Sequence, residues 1–357
     1  MFLNVTQYMN RIPKALFTFP VTINVVFIAT GLVSMLLTLP GLAQDPVFSR
    51  FTANPQSENP AFTGGSRNTD AYVIYRNQFP SLATNYITYA LGASTFIDDL
   101  NSGFGLSVLH DDSADGLYQT SSATINYSYR LQLSNGAYVN AGLSLGVGRT
   151  EVDFNRLIFL DQIDAVTGPI SSGGLPFPTE ELFPQEDFVN YLDLGAGFLF
   201  YSDKLYVGAS FNHLNNPAND FLVNEFETSN GVDGLPLRWS INAGYTIPLI
   251  EGRRKTILSI HPSLLYTRQR DFGQLNAGFF AKYKILDVGL TARLSGTTPD
   301  AIIASVGVKF GAASLYYAYD FTISKLASLS GGAHEIGLST RIGPIKEAEV
   351  SCFDLFR

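Results

Sequence analysis

Cysteine, charge and helical periodicity are all scarce in this chain, and each scarcity removes a class of protein. A single cysteine, Cys352, sits close to the C-terminal end of the 357 residues, so no internal disulfide can form and burial and pairing must hold the chain together. The ordinary expectation for Cys352 is a buried or spare thiol rather than one that pairs with another chain. Charged residues are only 15% of the sequence, and the 31 Asp and Glu outnumber the 23 Lys and Arg. That acidic balance gives no electrostatic footprint for nucleic acid. The four histidines, His110, His213, His261 and His334, are far apart and form no H-x-x-x-H or H-E-x-x-H pair, so no metal site is expected. They read as aromatic-girdle or rim residues. No Gly-Lys-Ser or Gly-Lys-Thr is present to cradle a phosphate, and no cofactor is expected.

Two stretches imitate chemistry without supplying it. Gly142-Leu143-Ser144-Leu145-Gly146 matches the serine-hydrolase elbow text, but that elbow needs a sharp strand-to-helix turn, and here the five residues lie inside an unbroken alternating run. Asp111-Asp112-Ser113-Ala114-Asp115-Gly116 opens like a calcium loop, yet the twelfth position is Ser122 where a bidentate Glu is required. A non-enzymatic protein is expected.

The N-terminus is informative. Arg11 and Lys14 precede an apolar region from Ala15 to Leu39, followed by Gly41-Leu42-Ala43. This pattern predicts a signal peptide over residues 1–43, removed on export. No Cys follows it, so lipid attachment is not expected.

From Asn68 onward, alternation with period two dominates. Ala123, Ile125, Tyr127, Tyr129 and Leu131 interleave with Thr124, Asn126, Ser128 and Arg130, and the run 137–148 repeats the pattern. Counting such runs predicts about fourteen strands, many of ten or more residues, the length a tilted strand needs to cross a bilayer. The polar face is mostly Asn, Ser, Thr, Gly and Tyr where a soluble sandwich would carry Lys and Glu. An antiparallel transmembrane β-barrel of the outer membrane is therefore expected over residues 68–343, apolar face to lipid and small polar side chains toward a watery lumen. Tyr86, Tyr89, Tyr127, Tyr129, Phe279, Phe280, Tyr316, Tyr317, Tyr319 and Phe321 are expected in its aromatic girdles. Loop parity adds an orientation. The two longest connections, 152–187 and 215–235, follow the fifth and seventh strands, while those after even strands are short. This puts the odd connections outside the cell and both termini in the periplasm.

The stretch from Gln44 to Gly65 fits neither helix nor strand, because Pro46, Pro55 and Pro60 remove donors and Asn54, Asn59, Gly64 and Gly65 favour turns. It nevertheless carries Phe48, Phe51 and Phe62, more apolar surface than a solvated linker needs. We expect residues 44–67 to form a plug or a periplasmic segment, and residues 344–357 a periplasmic tail.

Gln44-Asp45-Pro46, Phe48-Ser49, Phe51, Asn54, Asn59-Pro60-Ala61-Phe62 and Gly64 resemble the mature start of the PorP/SprF family, outer-membrane barrels of the type IX secretion and gliding machinery of Bacteroidetes. Further motifs follow in order: Tyr75-Arg76-Asn77-Gln78, His213-Leu214-Asn215-Asn216-Pro217, Leu237-Arg238-Trp239 and His334-Glu335-Ile336. Phe79 departs from the usual Trp after Arg-Asn-Gln, and Phe353 from the usual Pro after the late Cys. The resemblance implies a non-enzymatic component that helps to secrete or anchor a surface protein bearing a type IX C-terminal signal domain. It also implies links to periplasmic or peptidoglycan-bound parts of the machinery. Pro46, Phe48, Phe51, Asn59, Pro60, Ala61, Phe62 and Gly64 are the candidate plug or partner-binding residues. Arg76, Asn77, Gln78, Asn215, Asn216, Pro217, Arg238, Trp239, His334 and Glu335 are the barrel motif. The alternative is a porin-like or hydrophobic-solute channel.

Overall fold

A strand whose side chains alternate between lipid and lumen must satisfy every backbone group through its neighbours, and in a membrane only a closed sheet leaves no edge. The computed structural model of the protein, which describes residues 45–66, 68–82, 84–163, 177–180, 184, 186–219, 221, 234–252, 256–323 and 330–343, has that form. Its strands are β1 Thr69–Gln78, β2 Tyr86–Ile97, β3 Ser102–Ser113, β4 Tyr118–Ser134, β5 Ala137–Val152, β6 Phe188–Ser202, β7 Leu205–Asn212, and β8 Arg238–Tyr245, which resumes past Thr246 as Ile247–Glu251. They continue as β9 Thr256–Gln269, β10 Phe272–Tyr283, β11 Leu286–Ser295, β12 Thr298–Phe310, β13 Ala313–Thr322 and β14 Ala333–Ile342. Each pairs antiparallel with its sequence neighbours, and β14 returns to β1 in a continuous register from Thr69↔Ile342 to Gln78↔Ala333. The result is a closed barrel of 14 antiparallel strands. No helix among the described residues is long and apolar enough to cross a membrane.

Alternation decides which face is outside. Ile125 is 62% exposed and its neighbour Asn126 only 1%; Leu143 is 61% exposed and Asn140 1%. The apolar side chains cover the outer wall while Asn, Ser, Thr and Gly face inward, the reverse of a soluble barrel. Residues 1–43, expected as a signal peptide, Gln44, the tail with Cys352 and parts of the two long connections lie outside the described residues.

Four expectations need correcting. The stretch after Asp45 is not wholly irregular: it makes short turns of helix at Phe51–Ala53, Pro55–Glu58 and Pro60–Phe62. Pro55 and Pro60 start two of them, since a first helical residue needs no N–H donor. Phe280 and Tyr316 are not girdle residues: they occupy inward positions, Phe280 fully buried and Tyr316 bonded to Glu335. His261 likewise is no rim residue. It is 2% exposed and its ring nitrogens meet the Thr246 and Ser259 hydroxyls. The lumen is also not lined only by small groups: the chain's own N-terminal segment packs inside it and charged side chains receive that segment.

Candidate functional site

The site is built where residues 46–66 run through the barrel against its inner wall. Near its start, Phe48 packs on Ile74 of β1 and Ala90 of β2. The next two backbone N–H groups, of Ser49 and Arg50, donate to the Glu335 carboxylate at 2.6 and 3.0 Å. Glu335 stands on the last strand and Arg76 on the first, with Arg76 Nε 3.7 Å from Glu335 and its Nη2 3.2 Å from Asp320 on β13. The segment is thus tied down where the barrel closes. Arg293 extends the network to Asp320 at 2.8 Å and Asp300 at 2.7 Å. The Arg50 guanidinium pairs with Asp287 at 2.7 Å and lies 5.1 Å from the ring centres of both Phe280 and Tyr316. Buried charges are retained only when paired and hydrogen-bonded, and here they are.

Further along, Phe51 meets Phe280 edge-on at 6.3 Å and Phe62 meets Tyr206 at 5.8 Å, within a cluster that includes Ala61, Tyr138, Leu199, Tyr201 and Leu265. Burying each phenylalanine contributes roughly 1.5–3 kcal/mol. Glu58 accepts from Arg238 at 2.8 Å, and the Glu58 carbonyl from the Ser210 hydroxyl at 2.6 Å. Asn59 has no exposed surface. Its Oδ1 caps the Ala61 N–H, and its Nδ2 donates to the carbonyls of Phe198 and Ala209. Beyond it, Asn140 donates to the Ala61 carbonyl, Ser128 to that of Thr63 and Arg130 to that of Gly65. Arg130 also lies 4.0 Å over the Phe96 ring. Gly64, at φ +65°, turns the chain out toward β1.

Where the segment runs closest, the wall has no room for a side chain. A Cβ on Gly142 would fall 2.2 Å from the Ala61 nitrogen, and one on Gly197 2.0 Å from Asn59 Oδ1. The hydrolase-like text around Gly142 is therefore explained by packing. Gly142→Val is expected to displace the segment and lower stability by about 1–3 kcal/mol or more, read as a fall in the denaturant midpoint of the barrel in detergent. An unchanged midpoint would contradict the close approach.

The predicted plug residues come together in this lumen, while the barrel motif divides. Arg76, Arg238 and Glu335 hold the segment, and Gln78 accepts from Arg76 Nη1. Asn215 instead copies a missing strand: its Oδ1 accepts from the Leu194 N–H and its Nδ2 donates to the Leu192 carbonyl, beyond the end of β7. His213 and Asn216 take positive φ in the same turn, which leads into Pro217, and His213 Nδ1 lies 3.0 Å from Asp193. By alternation Asn77, Trp239 and His334 face outward; Trp239 contacts Tyr266, and His334 Nδ1 meets the Tyr317 hydroxyl. Sequence reasoning missed Arg50, Glu58, Arg130, Asn140, Asp287, Arg293 and Asp320. For Arg130, Asp287, Arg293 and Asp320 the available signal was a charge at an inward position of a strand with few charges. In the connection after β5, the Asp161 carboxylate accepts from the Glu180 N–H and the Thr179 hydroxyl, and the Glu180 N–H above all holds its acid below the usual range.

Fold and lumen together define an outer-membrane β-barrel whose interior receives its own N-terminal segment. Residues 41–340 match the family described as type IX secretion system membrane protein PorP/SprF, and the chain belongs to that family. A comparison with curated protein sequences finds no match. Among solved structures, the toluene transporter TbuX of Ralstonia pickettii is 10% identical, with a TM-score of 0.48 over 82% of this chain and 94% of that one. The P. putida toluene transporter TodX is 11% identical, with a TM-score of 0.44 over 80% and 93%. The KdgM porin is 10% identical at 0.34 over 77% and 99%. Likeness at this level carries no argument about what the present barrel does.

Proposed function

We propose that this protein is a sealed scaffold barrel of the type IX secretion machinery, helping to secrete or anchor a cell-surface cargo protein rather than passing solute through its own lumen. The observation that carries the reading is the occupied lumen, where residues 48–64 are held from both halves of the wall by ion pairs, amide bonds and apolar packing. Drawing such a segment out would break its ion pairs to Asp287 and Arg238 and expose the apolar cluster around Phe51 and Phe62 to water, so it is expected to stay in place. A barrel filled in this way offers its ends as working surfaces. The connections after odd strands, 152–187 and 215–235, are the proposed cell-surface face for cargo. The opposite end, with residues 344–357, is the proposed face for periplasmic or peptidoglycan-linked components, and residues 1–43 the cleaved export signal.

Two measurements test the reading. Liposomes containing the purified barrel should show no swelling in sugar solutions, and affinity purification of the tagged protein should recover secreted proteins with type IX C-terminal domains or periplasmic machinery. Steady solute flux would overturn the sealed barrel in favour of transport, and recovery of neither partner class would overturn the scaffold role.

A further inference from the structure

The outer wall carries one feature that sealing and scaffolding leave unused. Across β2–β6 the outward side chains align in two register rows. The first is Leu91, Val108, Ala123, Val147 and Leu192, all apolar; the next toward the odd-numbered connections is Tyr89, His110, Ser121, Arg149 and Asn190. The apolar belt therefore ends abruptly in a polar rim. At that boundary lies a shallow, open depression with Val108, Ala123, Val147 and Leu192 below and Ser121, Arg149 and Asn190 above. It forms because the small side chains of Ser121 and Ala123 sit between taller neighbours, with Val147 59% and Leu192 50% exposed on its edge.

We propose that this depression binds one phosphorylated, acylated glycolipid of the outer leaflet, an acyl chain lying over Ala123 and the phosphate on Arg149. The wall faces lipid, so a hollow in its apolar belt is filled by hydrocarbon, water there being without partners. The rim then selects the head group. Arg149 is held over the Phe188 ring at 3.8 Å, with its Nε 3.4 Å from Glu151, so the guanidinium is pre-positioned rather than free to wander. His110 Nδ1 meets the Ser121 hydroxyl at 2.9 Å. Asn190 adds an amide that makes no hydrogen bond among the described residues. The acids nearby are Asp112, one of whose oxygens accepts from the Gly116 N–H, and Glu151, whose pair with Arg149 is half exposed and therefore weak enough for a phosphate to displace. A planar guanidinium presents paired donors that match phosphate oxygens, and basic side chains at a membrane boundary are a recurrent lipid-selecting device. Loop parity places this row in the leaflet facing the cell exterior.

The test uses the full barrel in nanodiscs containing bis-phosphorylated lipid A, and separately its dephosphorylated form, with retention read by native mass spectrometry after bulk lipid is stripped. The wild type should keep one phosphorylated molecule. Arg149→Gln should lower retention about fivefold, the loss expected for one basic contact at a membrane surface. Ala123→Leu, which fills the hollow, should abolish retention, with unchanged heat-modifiable gel mobility reporting intact folding. Arg268→Gln, which removes an exposed basic residue on the opposite wall, should change nothing. Equal retention of the dephosphorylated lipid, recovery of phospholipid or detergent only, insensitivity to Arg149→Gln, or an equal effect of Arg268→Gln would each overturn the site.

Discussion

Glu335→Ala should lower the unfolding free energy of the barrel by about 3–5 kcal/mol, the usual cost of breaking a buried, hydrogen-bonded charge set by removing one member. The carboxylate is fully buried and serves four donors at once: the Ser49 and Arg50 N–H groups, the Tyr316 hydroxyl at 2.9 Å and, at longer range, Arg76. Alanine leaves two backbone donors without that acceptor and removes one of the two carboxylates beside Arg76. Those losses fall on strand pair β14–β1 and on the segment together, because Glu335 is where the two meet. Glu335→Gln keeps one acceptor oxygen and most of the volume, so its cost should be smaller. Denaturant unfolding in detergent measures both, and protease cleavage after Arg50 measures whether the segment has come loose. A loss below about 1 kcal/mol for the alanine variant, within the range of a surface substitution, would mean the carboxylate is not the tie inferred.

The barrel was legible in the sequence because a membrane imposes a simple rule on every strand. With lipid outside, period-two alternation marks each crossing, and loop length supplies parity, so the strand count and order follow from patterning alone. Alternation does not say what fills the lumen. An inward Asn or Ser reads the same whether it faces water, as first expected, or the Ala61 or Thr63 carbonyl, as Asn140 and Ser128 do. Gly142 and Gly197 read as small lumen residues until Ala61 and Asn59 are placed beside them. Phe280 and Tyr316 were misplaced for a related reason. Aromatics near strand ends usually serve the membrane interface, but parity puts these two inward, where Phe51 and Glu335 await them. The pairings of Arg50 with Asp287 and of Glu58 with Arg238 join residues 237 and 180 positions apart, which no local pattern encodes. The wall charges, Asp287 and Arg238, were visible as inward charges on strands with few of them. Their partners became visible only when the segment lay inside.

Deleting Pro46–Phe62 should convert a non-conducting barrel into one with steady single-channel current, while the protein still inserts and keeps heat-modifiable mobility. The wall is paired all the way round without the segment, from β1 through β14 and back. Several lumen charges also satisfy one another across the wall: Arg76 with Asp320, Arg293 with Asp320 and Asp300. Asp287 and Arg238 lose their ion pairs with Arg50 and Glu58. Once the lumen admits water those two are hydrated, so their exposure does not carry the penalty of a dry buried charge. The glycine-lined wall opposite Ala61 and Asn59 then has nothing against it, and a lumen of fourteen strands is wide enough to conduct. Glu335→Ala leaves the segment in place but loosened, so it should give brief, flickering current rather than a steady opening. If the deleted protein fails to insert, residues 46–62 are a folding element on which the wall closes, and the sealing role proposed for them is wrong. If it inserts and stays silent, the seal lies elsewhere in the chain.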